Sequence, residues 1–448
     1  ARAIVDRSYP RHYLGAVPLM IASRISLAPD DHGRTALALV NAYVHPSLVQ
    51  TLYRAEDQAR ASGLRRPLLV VNTDGSSSRV AKTRAIDTYN SGPSAGVLGA
   101  GFVARALGAR HVCTFDVGGT TTDVAYLRAG EVPRDAVTEV GPTTIPHPSV
   151  ALWSFGLGGG SIVDGDQVGP ESAGSAPGPA CFGLGGTRLT PTDVWVLLGY
   201  LEPGEFLGGR RTLDRERART ALGDTDPLAA LDAIHATLER ELTAWAARHP
   251  DLAASAPEDR WLFSYGGGGG LLCVPAAQAL GIGRVLVFPH SSVFSAFGGG
   301  LLPIAHSYEA VADLAHLADR ARRDLRAEGI VDLDRVHAQW DGGAGTLAAL
   351  LEDPPPGRGR AYLHVSVPRP VRLDVVASGP VEPGRTRRIT TAAGERDVPV
   401  VAGLGRPGAA AASGPAFLEA PDTTIFVPDG WSIRFTEQGY GVLEAPAT

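Results

Sequence analysis

The sequence predicts a layered α/β domain followed by a β-rich C-terminal module. Short apolar runs at residues 67–72, 261–265 and 284–288 are typical of buried strands, and they alternate with helical segments. After about residue 354 the runs AYLHVSV, VRLDVV, DVPVV and TTIFVP are separated by Gly and Pro, which is typical of consecutive strands. We therefore expect an α/β domain over residues 1–307, and a helical segment with the β-rich module over residues 308–448.

The elements follow in order along the chain. A strand, a glycine turn and a second strand are expected over 111–127, and 141–191 is expected to be rich in loops. The mixed charges of 308–328 are typical of the solvated face of a helix. Helices are expected over 35–62 with a kink at Pro46, and over 91–109, 193–200, 214–222, 227–248, 272–280 and 308–328.

Composition excludes several classes of protein. The net charge is −6 without a basic block, which argues against nucleic acid as the principal partner. There is no run of about 18 uncharged apolar residues, so we expect no membrane span. The first residues lack the apolar region of a signal peptide, and the three cysteines form no CxxC pair. These features favour the reducing cytoplasm.

The strongest local signal is FDVGGTTTD, residues 115–123. Glycines let backbone N–H groups approach an anion closely, and threonine hydroxyls add donors. Two carboxylates, Asp116 and Asp123, can hold Mg²⁺ through its waters or orient an attacking group. The segment is therefore either a phosphate-handling hairpin or an ordinary Gly-Gly turn. The residues predicted to supply donors are Gly118, Gly119, Thr120, Thr121 and Thr122.

Two further glycine loops adjoin predicted strands. The first includes Gly158, Gly159, Gly160 and Ser161. The second, Gly266 to Gly270, lies between a predicted strand and the helix that follows it. Amides at a helix N-terminus bind phosphate readily. Neither loop matches the Walker or the dinucleotide fingerprint. Three such loops suggest a nucleotide cleft, and the alternative is tight turns in a chain with 55 glycines.

The chain resembles the hydantoinase A/5-oxoprolinase family in several long segments. They appear in the family's order and include SGPSAG (91–96), FDVGGTTTDV (115–124), GLGGGSI (156–162), GPESAGSAPGPACFG (169–183), PTDVWVLLGYL (191–201), FSYGGGGG (263–270) and SGPAFLEAPDTTIFVPDGW (413–431). The resemblance implies an actin/sugar-kinase-like ATPase fold. It also implies ATP-driven activation of a cyclic amide, or of a ketone in the related carboxylases.

The resemblance also implies partners and site residues. Such subunits usually work with a hydantoinase B-type partner, and a homodimer is a further expectation. The family's phosphate-binding loop falls on Asp116 to Asp123, and its adenosine-side loop on Gly266 to Gly269. Its TDxxxxLG segment places Asp193 as a ligand or proton acceptor; the alternative is an N-cap of the following helix. Magnesium is inferred from the phosphate chemistry, with Asp116 and Asp123 as its ligands.

The chain also departs from the family's pattern. Family members typically start with their own DxGGT loop, and none of the 115 residues before Asp116 contains one. Cys273 replaces the family's usual histidine, Ser175 its usual aspartate and Asp74 its usual asparagine. We therefore expect either that another polypeptide or an absent segment supplies the first loop, or that this subunit does not turn over ATP. The alternative to an enzyme is a scaffold that stabilises a partner subunit.

The remaining candidates have simpler interpretations. His147 and His290 lie at loop ends. Each is interpreted either as a proton carrier or as an ordinary loop histidine. Cys181 and Cys273 have no triad-like partner in sequence and are expected to be buried small residues. The tryptophans Trp195, Trp245 and Trp261 are expected in the core.

Overall fold

The computed structural model describes residues 2–8, 20–357, 359–368, 383–402, 410–437 and 439–446. Its helices are α1 (Arg2–Ser8), α2 (Ala22–Ile25), α3 (Asp31–Ala61), α4 (Ser91–Leu107), α5 (Pro191–Leu197), α6 (Arg215–Leu222), α7 (Pro227–Ala246), α8 (Pro250–Ala254), α9 (Gly269–Ala279), α10 (Phe294–Leu301), α11 (Leu314–Ala327) and α12 (Leu347–Glu352).

Its strands are β1 (Leu69–Val71), β2 (Ser77–Arg79), β3 (His111–Val117), β4 (Thr122–Arg128), β5 (Arg134–Asp135), β6 (Thr138–Val140), β7 (Thr143–Ile145), β8 (Ser149–Val150), β9 (Trp153–Phe155), β10 (Ser161–Asp164), β11 (Gln167–Ser172), β12 (Arg260–Tyr265), β13 (Arg284–Val287), β14 (Ile304–Ala312), β15 (His337–Trp340), β16 (Gly343–Thr346), β17 (Gly359–Val367), β18 (Pro383–Thr391), β19 (Gly394–Ala402), β20 (Ala410–Ser413), β21 (Ala416–Ala420), β22 (Thr423–Val427), β23 (Ser432–Phe435) and β24 (Gly441–Glu444).

The chain forms two compact units, each assembled from three segments. Unit 1 comprises residues 1–95, 134–150 and 302–370, and unit 2 comprises 96–133, 151–301 and 371–448. The boundary expected after residue 307 would separate two consecutive domains, whereas each compact unit combines segments from different parts of the chain. The expected boundary stays a prediction.

Unit 2 is built on a mixed eight-stranded sheet with the order β20-β23-β24-β13-β12-β3-β4-β9. Strands β3, β12 and β13 are parallel, while β4 and β24 pair antiparallel with their neighbours. The core combines this sheet with α5, α7 and α9, and it includes the fully buried Phe115, Ile234 and Leu262. A second sheet, β18-β19-β21-β22, packs into the same core through Phe417 and Ile425.

Unit 1 contains an antiparallel sheet of order β14-β17-β15-β16. Helices α11 and α12 bury Leu317, Leu325 and Leu347 against Leu363 and Val365 of this sheet. A smaller cluster joins Leu37 of α3 to Ile86 and Ile145. Helix α3 begins after Asp30, whose carboxylate accepts from the His32 amide, and it continues through Pro46 to Ala61.

The α/β class and the strand-rich C-terminal segment are confirmed; the actin-like classification stays a prediction. The helix expected over 308–328 was partly wrong, because residues 304–312 form β14 and pair with β17 before α11 begins at Leu314. The loop-rich region 141–191 contains the short strands β7 to β11. The run VRLDVV, residues 371–376, lies outside the described residues. In the part of the chain that is described, no helix combines the length and apolar character that crossing a membrane requires.

Candidate functional site

The parallel strands of unit 2 place two glycine loops at one edge of the sheet. Tyr265 of β12 lies beside Asp116 of β3 in the parallel register. The turn that follows β3 and the loop that follows β12 therefore leave the sheet side by side. Carboxyl ends of parallel strands are where α/β proteins usually place ligands.

The turn after β3 is held by the second glycine loop. The amides of Gly159 and Gly160 donate to the carbonyls of Gly118 and Gly119 at 3.0 and 2.7 Å. A Cβ on Gly158 would lie 2.7 Å from the backbone nitrogen of Thr120, which is too close for any side chain. Glycine at 158 therefore allows the two loops to pack backbone against backbone.

The third loop reaches the same turn. The Gly268 amide donates to the Val117 carbonyl at 3.1 Å, and the Gly266 amide donates to the Ser291 carbonyl at 2.8 Å. Gly266 has φ +82°, and a Cβ there would lie 2.3 Å from the Val117 carbonyl oxygen. The three glycine loops that the sequence singles out thus meet in one place, and α9 begins directly behind the third.

The loops border a cavity of about 830 Å³ whose lining lies entirely in unit 2. Among the described residues, the amides of Gly119, Thr120 and Gly267 donate to no protein acceptor, and all three residues line this cavity. Free N–H groups grouped on glycine-rich turns form a concavity that favours an anion. We call this group of amides the amide cluster.

The rest of the cavity wall has an apolar part and, separate from it, a charged part. Phe182 and Phe206 line it with ring centroids 5.8 Å apart, next to Leu207. Asp422 also lines it, and its Oδ2 accepts from the amide and hydroxyl of Ser292 at 3.1 and 2.9 Å. The cavity therefore offers flat apolar surface at one part and hydrogen-bonding groups at others.

Only some of the predicted loop residues line the cavity. Those that do are Gly118, Gly119, Thr120, Gly159, Gly160, Gly267 and Gly268. Thr122 is fully buried and donates to the Leu157 carbonyl at 2.6 Å, while Ser161 accepts from the Gly158 amide at 2.8 Å. The Thr121 carbonyl accepts from the Gly118 amide at 2.9 Å. These residues and Gly158, Gly266 and Gly269 shape the loops rather than face the cavity.

Asp116 and Asp123 lie on the hairpin strands directly opposite each other. Neither carboxylate forms an ion pair with a described Lys, Arg or His. Burial, and after it the charge of Asp123, raises the pKa of Asp116 to about 7. Burial also raises the pKa of Asp123, against a hydrogen bond from Ser154. Two unneutralised carboxylates side by side fit a divalent cation, although neither is among the residues that line the cavity.

Asp193 is positioned as a structural group. Its side chain is fully buried, and Thr190, not Asp193, is the N-cap of α5. The carboxylate of Asp193 accepts from the amides of Ala180, Cys181 and Thr190 at 3.2, 2.7 and 3.0 Å, and from the Thr190 hydroxyl at 2.7 Å. With its acceptors used in this capping box, Asp193 has no contact that supports a catalytic role.

The other candidates divide between the two units. His147 lies in unit 1, where its Nε2 is 3.0 Å from Asp87 Oδ1, so it does not line the unit 2 cavity. His290 is exposed and lines neither of the cavities described here. The three cysteines are buried and free, as expected for Cys181 and Cys273.

Sequence reasoning missed several residues of the cavity. Trp195, expected only in the core, is 3% exposed, and its ring edge lies against Gly159 and Gly268. Its position in the family-like segment PTDVWVLLGYL was the signal that could have identified it as a residue of the site. Arg385 and Asp422 come from C-terminal segments, and no local pattern connects them with the glycine loops. No group of three or more described His, Cys, Asp or Glu side chains forms a metal centre.

Fold and site together define an α/β protein with three glycine-rich loops around a cavity at the carboxyl ends of its parallel strands. The model of the hydantoinase/oxoprolinase family matches residues 34–307. The chain belongs to this family, which confirms the resemblance seen in its motifs.

Two curated relatives and one solved structure are similar to the chain. The acetophenone carboxylase gamma subunit of Aromatoleum aromaticum is 31% identical over 73% of this chain and 50% of its own length. The caprolactamase subunit alpha of Pseudomonas jessenii is 29% identical over 69% of this chain and 49% of its own. The nucleotide-free structure of acetone carboxylase, an ATP-dependent enzyme, superposes with a TM-score of 0.73 at 24% identity, covering 92% of this chain and 69% of that chain. The chain spans about half the length of these curated relatives.

Proposed function

We propose that the chain is a subunit of an ATP-dependent enzyme that activates a carbonyl group by phosphorylation, on a cyclic amide or on a ketone. The observation that carries the proposal is the amide cluster, which the turn after β3 and the loop after β12 present to one cavity. Relatives named as an ATP-dependent carboxylase and a caprolactamase support this class of reaction. We further propose an actin-like ATPase fold, a hydantoinase B-type partner or a second copy of the chain, and a cytoplasmic location.

The cavity fits a nucleotide in three respects. The amides of Gly119, Thr120 and Gly267 would donate to phosphate oxygens, because these N–H groups have no competing protein acceptor. Phe182 and Phe206 supply aromatic lining that suits a purine base, and Asp422 suits a ribose hydroxyl. About 830 Å³ is ample for a ligand of this size.

Bound Mg·ATP would supply the phosphoryl group that makes a carbonyl carbon a better electrophile. Asp116 and Asp123 would hold the cation through its waters, as expected for Mg²⁺. The amide cluster would keep the phosphates in place with donors that need no reorganisation during the reaction. Val117 and Trp195 pack against Gly268 and so hold the third loop against the hairpin.

The test is a titration of the purified chain with Mg·ATP by calorimetry, followed by measurement of phosphate release with and without a hydantoinase B-type partner. We expect saturable binding by the chain and release that depends on Asp116. Absence of binding and of release in both conditions would overturn the ATPase proposal. Release unchanged in Asp116→Ala would reject the assigned carboxylates.

A further inference from the structure

A second cavity, in unit 1, has no part in the proposed function. It measures about 910 Å³, and all of its lining residues belong to unit 1. Three buried atoms of its lining residues, Arg79 Nε, His147 Nδ1 and Glu328 Oε1, have no hydrogen-bond partner in the described structure, and the first and last of these form an ion pair with each other at 3.7 Å. Buried polar atoms are nearly always hydrogen-bonded in folded proteins, so the unpartnered His147 Nδ1 and this long ion pair at one cavity point to a bound polar molecule.

A shared proton lies in one part of the cavity wall. His306 Nδ1 is 2.7 Å from the Ser77 carbonyl oxygen and must donate, because a carbonyl only accepts. His306 Nε2 is 2.8 Å from Glu328 Oε2. This second contact requires one proton, held by either the imidazole or the carboxyl group. The His306–Glu328 pair therefore carries a net charge of zero in both arrangements.

The charges around this pair leave an excess of one positive charge. Arg79 lies 3.1 Å from Asp324 and 3.7 Å from Glu328, and Lys82 is also paired with Asp324. Two cations thus face one further carboxylate. Asp324 and Glu328 are 9% and 3% exposed at their side chains, whereas that of Lys82 is 44% exposed and able to reach a ligand. This part of the wall favours a negatively charged group.

A different part of the wall offers a carboxylate that forms no ion pair. Asp74 accepts from the Ser76 amide at 2.9 Å and the Ser307 hydroxyl at 3.1 Å, and no described Lys, Arg or His lies within ion-pair distance of it. This carboxylate therefore favours a ligand group that brings N–H donors and positive charge.

His147 adds a buried ring nitrogen without a partner. Burial would raise the pKa of Asp87, but the hydrogen bond from His147 and the charge of Arg84 outweigh it and lower that pKa. Asp87 is thus a carboxylate that accepts from His147 Nε2–H, and His147 Nδ1 is left without a protein partner. The remaining charged lining groups are neutralised or exposed: Glu309 pairs with Arg360 at 2.6 Å, and Arg320 lies over the Tyr308 ring.

We propose that the unit 1 cavity binds a small amino carboxylate. The ligand's carboxylate pairs with Lys82 and Arg79, and its ammonium group donates to Asp74. A zwitterion satisfies both parts of the wall and brings no net charge into the cavity. Ile25, Leu27 and Val311 also line the cavity and supply apolar contact for the carbon chain between the two charges.

The test is calorimetric titration of the full chain with straight-chain amino acids from glycine to 6-aminohexanoate. The best binder is then compared with the carboxylic acid that lacks its amino group and the amine that lacks its carboxylate. We expect at least one amino acid to bind and both counterparts to bind at least about tenfold more weakly. Binding by no member at millimolar concentration, or equal binding of a counterpart, overturns the proposal.

Two variants test which residues bind the carboxylate and which bind the ammonium group of the ligand. Lys82→Met should weaken the amino acid and the carboxylic acid at least about tenfold and leave the amine unchanged, whereas Asp74→Asn should weaken the amino acid and the amine. Arg326→Met, an exposed cation of α11 that does not line the cavity, is the matched control and should leave all three unchanged. Melting temperatures establish that each variant is folded. Equal affinities in Lys82→Met and the unmodified chain overturn the assignment of the carboxylate.

Discussion

Asp116 and Asp123 face each other across two antiparallel strands, with only one further residue pair, Val117 and Thr122, between them and the turn. The hairpin thus carries two acidic groups on one face and buries Val117 and Thr122 on the other. Because burial and the neighbouring charge raise the pKa of Asp116 to about 7, a cation-free hairpin retains part of a proton near neutral pH.

This pairing predicts how stability depends on pH. The folded-state pKa of Asp116 lies above the ordinary carboxyl pKa of 3.8, so its stabilising contribution is complete below about pH 3.8 and is lost as the pH rises through about 7. In the presence of a chelator, Asp116→Asn should therefore become more stable relative to the unmodified chain as the pH rises. We expect the difference in their free energies of unfolding to grow by roughly 1–4 kcal/mol between about pH 5 and about pH 8. Denaturant titrations of both proteins at both pH values measure this difference. A difference independent of pH would show that Asp116 does not titrate in this range.

A methyl group at residue 158 should weaken nucleotide binding. In Gly158→Ala the new Cβ would meet Gly119 and Thr120 backbone atoms at 2.7 Å and displace the amide cluster. We expect affinity for Mg·ATP to fall at least about a hundredfold, equal to about 2.7 kcal/mol. Gly204→Ala is the matched control, because a Cβ there meets nothing within 4 Å. Equal affinities in the two variants would contradict the role of this backbone contact.

Asp193 should matter for folding. In Asp193→Ala four buried donors lose their acceptor, so we expect the free energy of unfolding to fall by about 2–5 kcal/mol. Chemical denaturation measures the loss. Unchanged stability together with lost phosphate release would instead restore the catalytic role that the motif suggested.

The cysteines should be chemically inert in the folded chain. Burial raises the pKa of Cys273 to about 12 and also raises the pKa values of Cys113 and Cys181. Because the thiolate is the reactive form, a disulfide reagent should label these three residues only after unfolding. Absorbance of the released thiol, followed with and without denaturant, reports the rate. Rapid labelling of the native chain would contradict their burial.

The glycine loops were predictable because their signal is local. A strand that runs into Gly118 and Gly119, or into Gly266, can be recognised from a few residues, and the same glycines make the close backbone approaches seen in the structure. That the turn after β3 and the loop after β12 meet follows from the parallel pairing of these strands, which strand–helix alternation implies.

The errors have a different origin. Residues 308–312 were assigned to the helix because the mixed charges of 308–328 as a whole are typical of a helix face, but pairing with β17, some fifty residues later, makes them a strand. Asp193 was interpreted as a ligand or proton acceptor, or else as an N-cap, and the hydroxyl of Thr190 takes the N-cap position. Arg385 and Asp422 join the cavity only through tertiary folding. Contacts distant in sequence decide each of these cases, and a single sequence does not reveal them.

Trp195 gives the unit 2 cavity a built-in optical probe. Its indole edge lies between Gly159 and Gly268, so any molecule that settles on the glycine loops changes the dielectric surroundings of this ring. Intrinsic fluorescence can then follow occupancy in real time without a label, and Trp195→Phe identifies the part of the signal that arises there. The same emission distinguishes a ligand that enters this cavity from one that enters the cavity of unit 1.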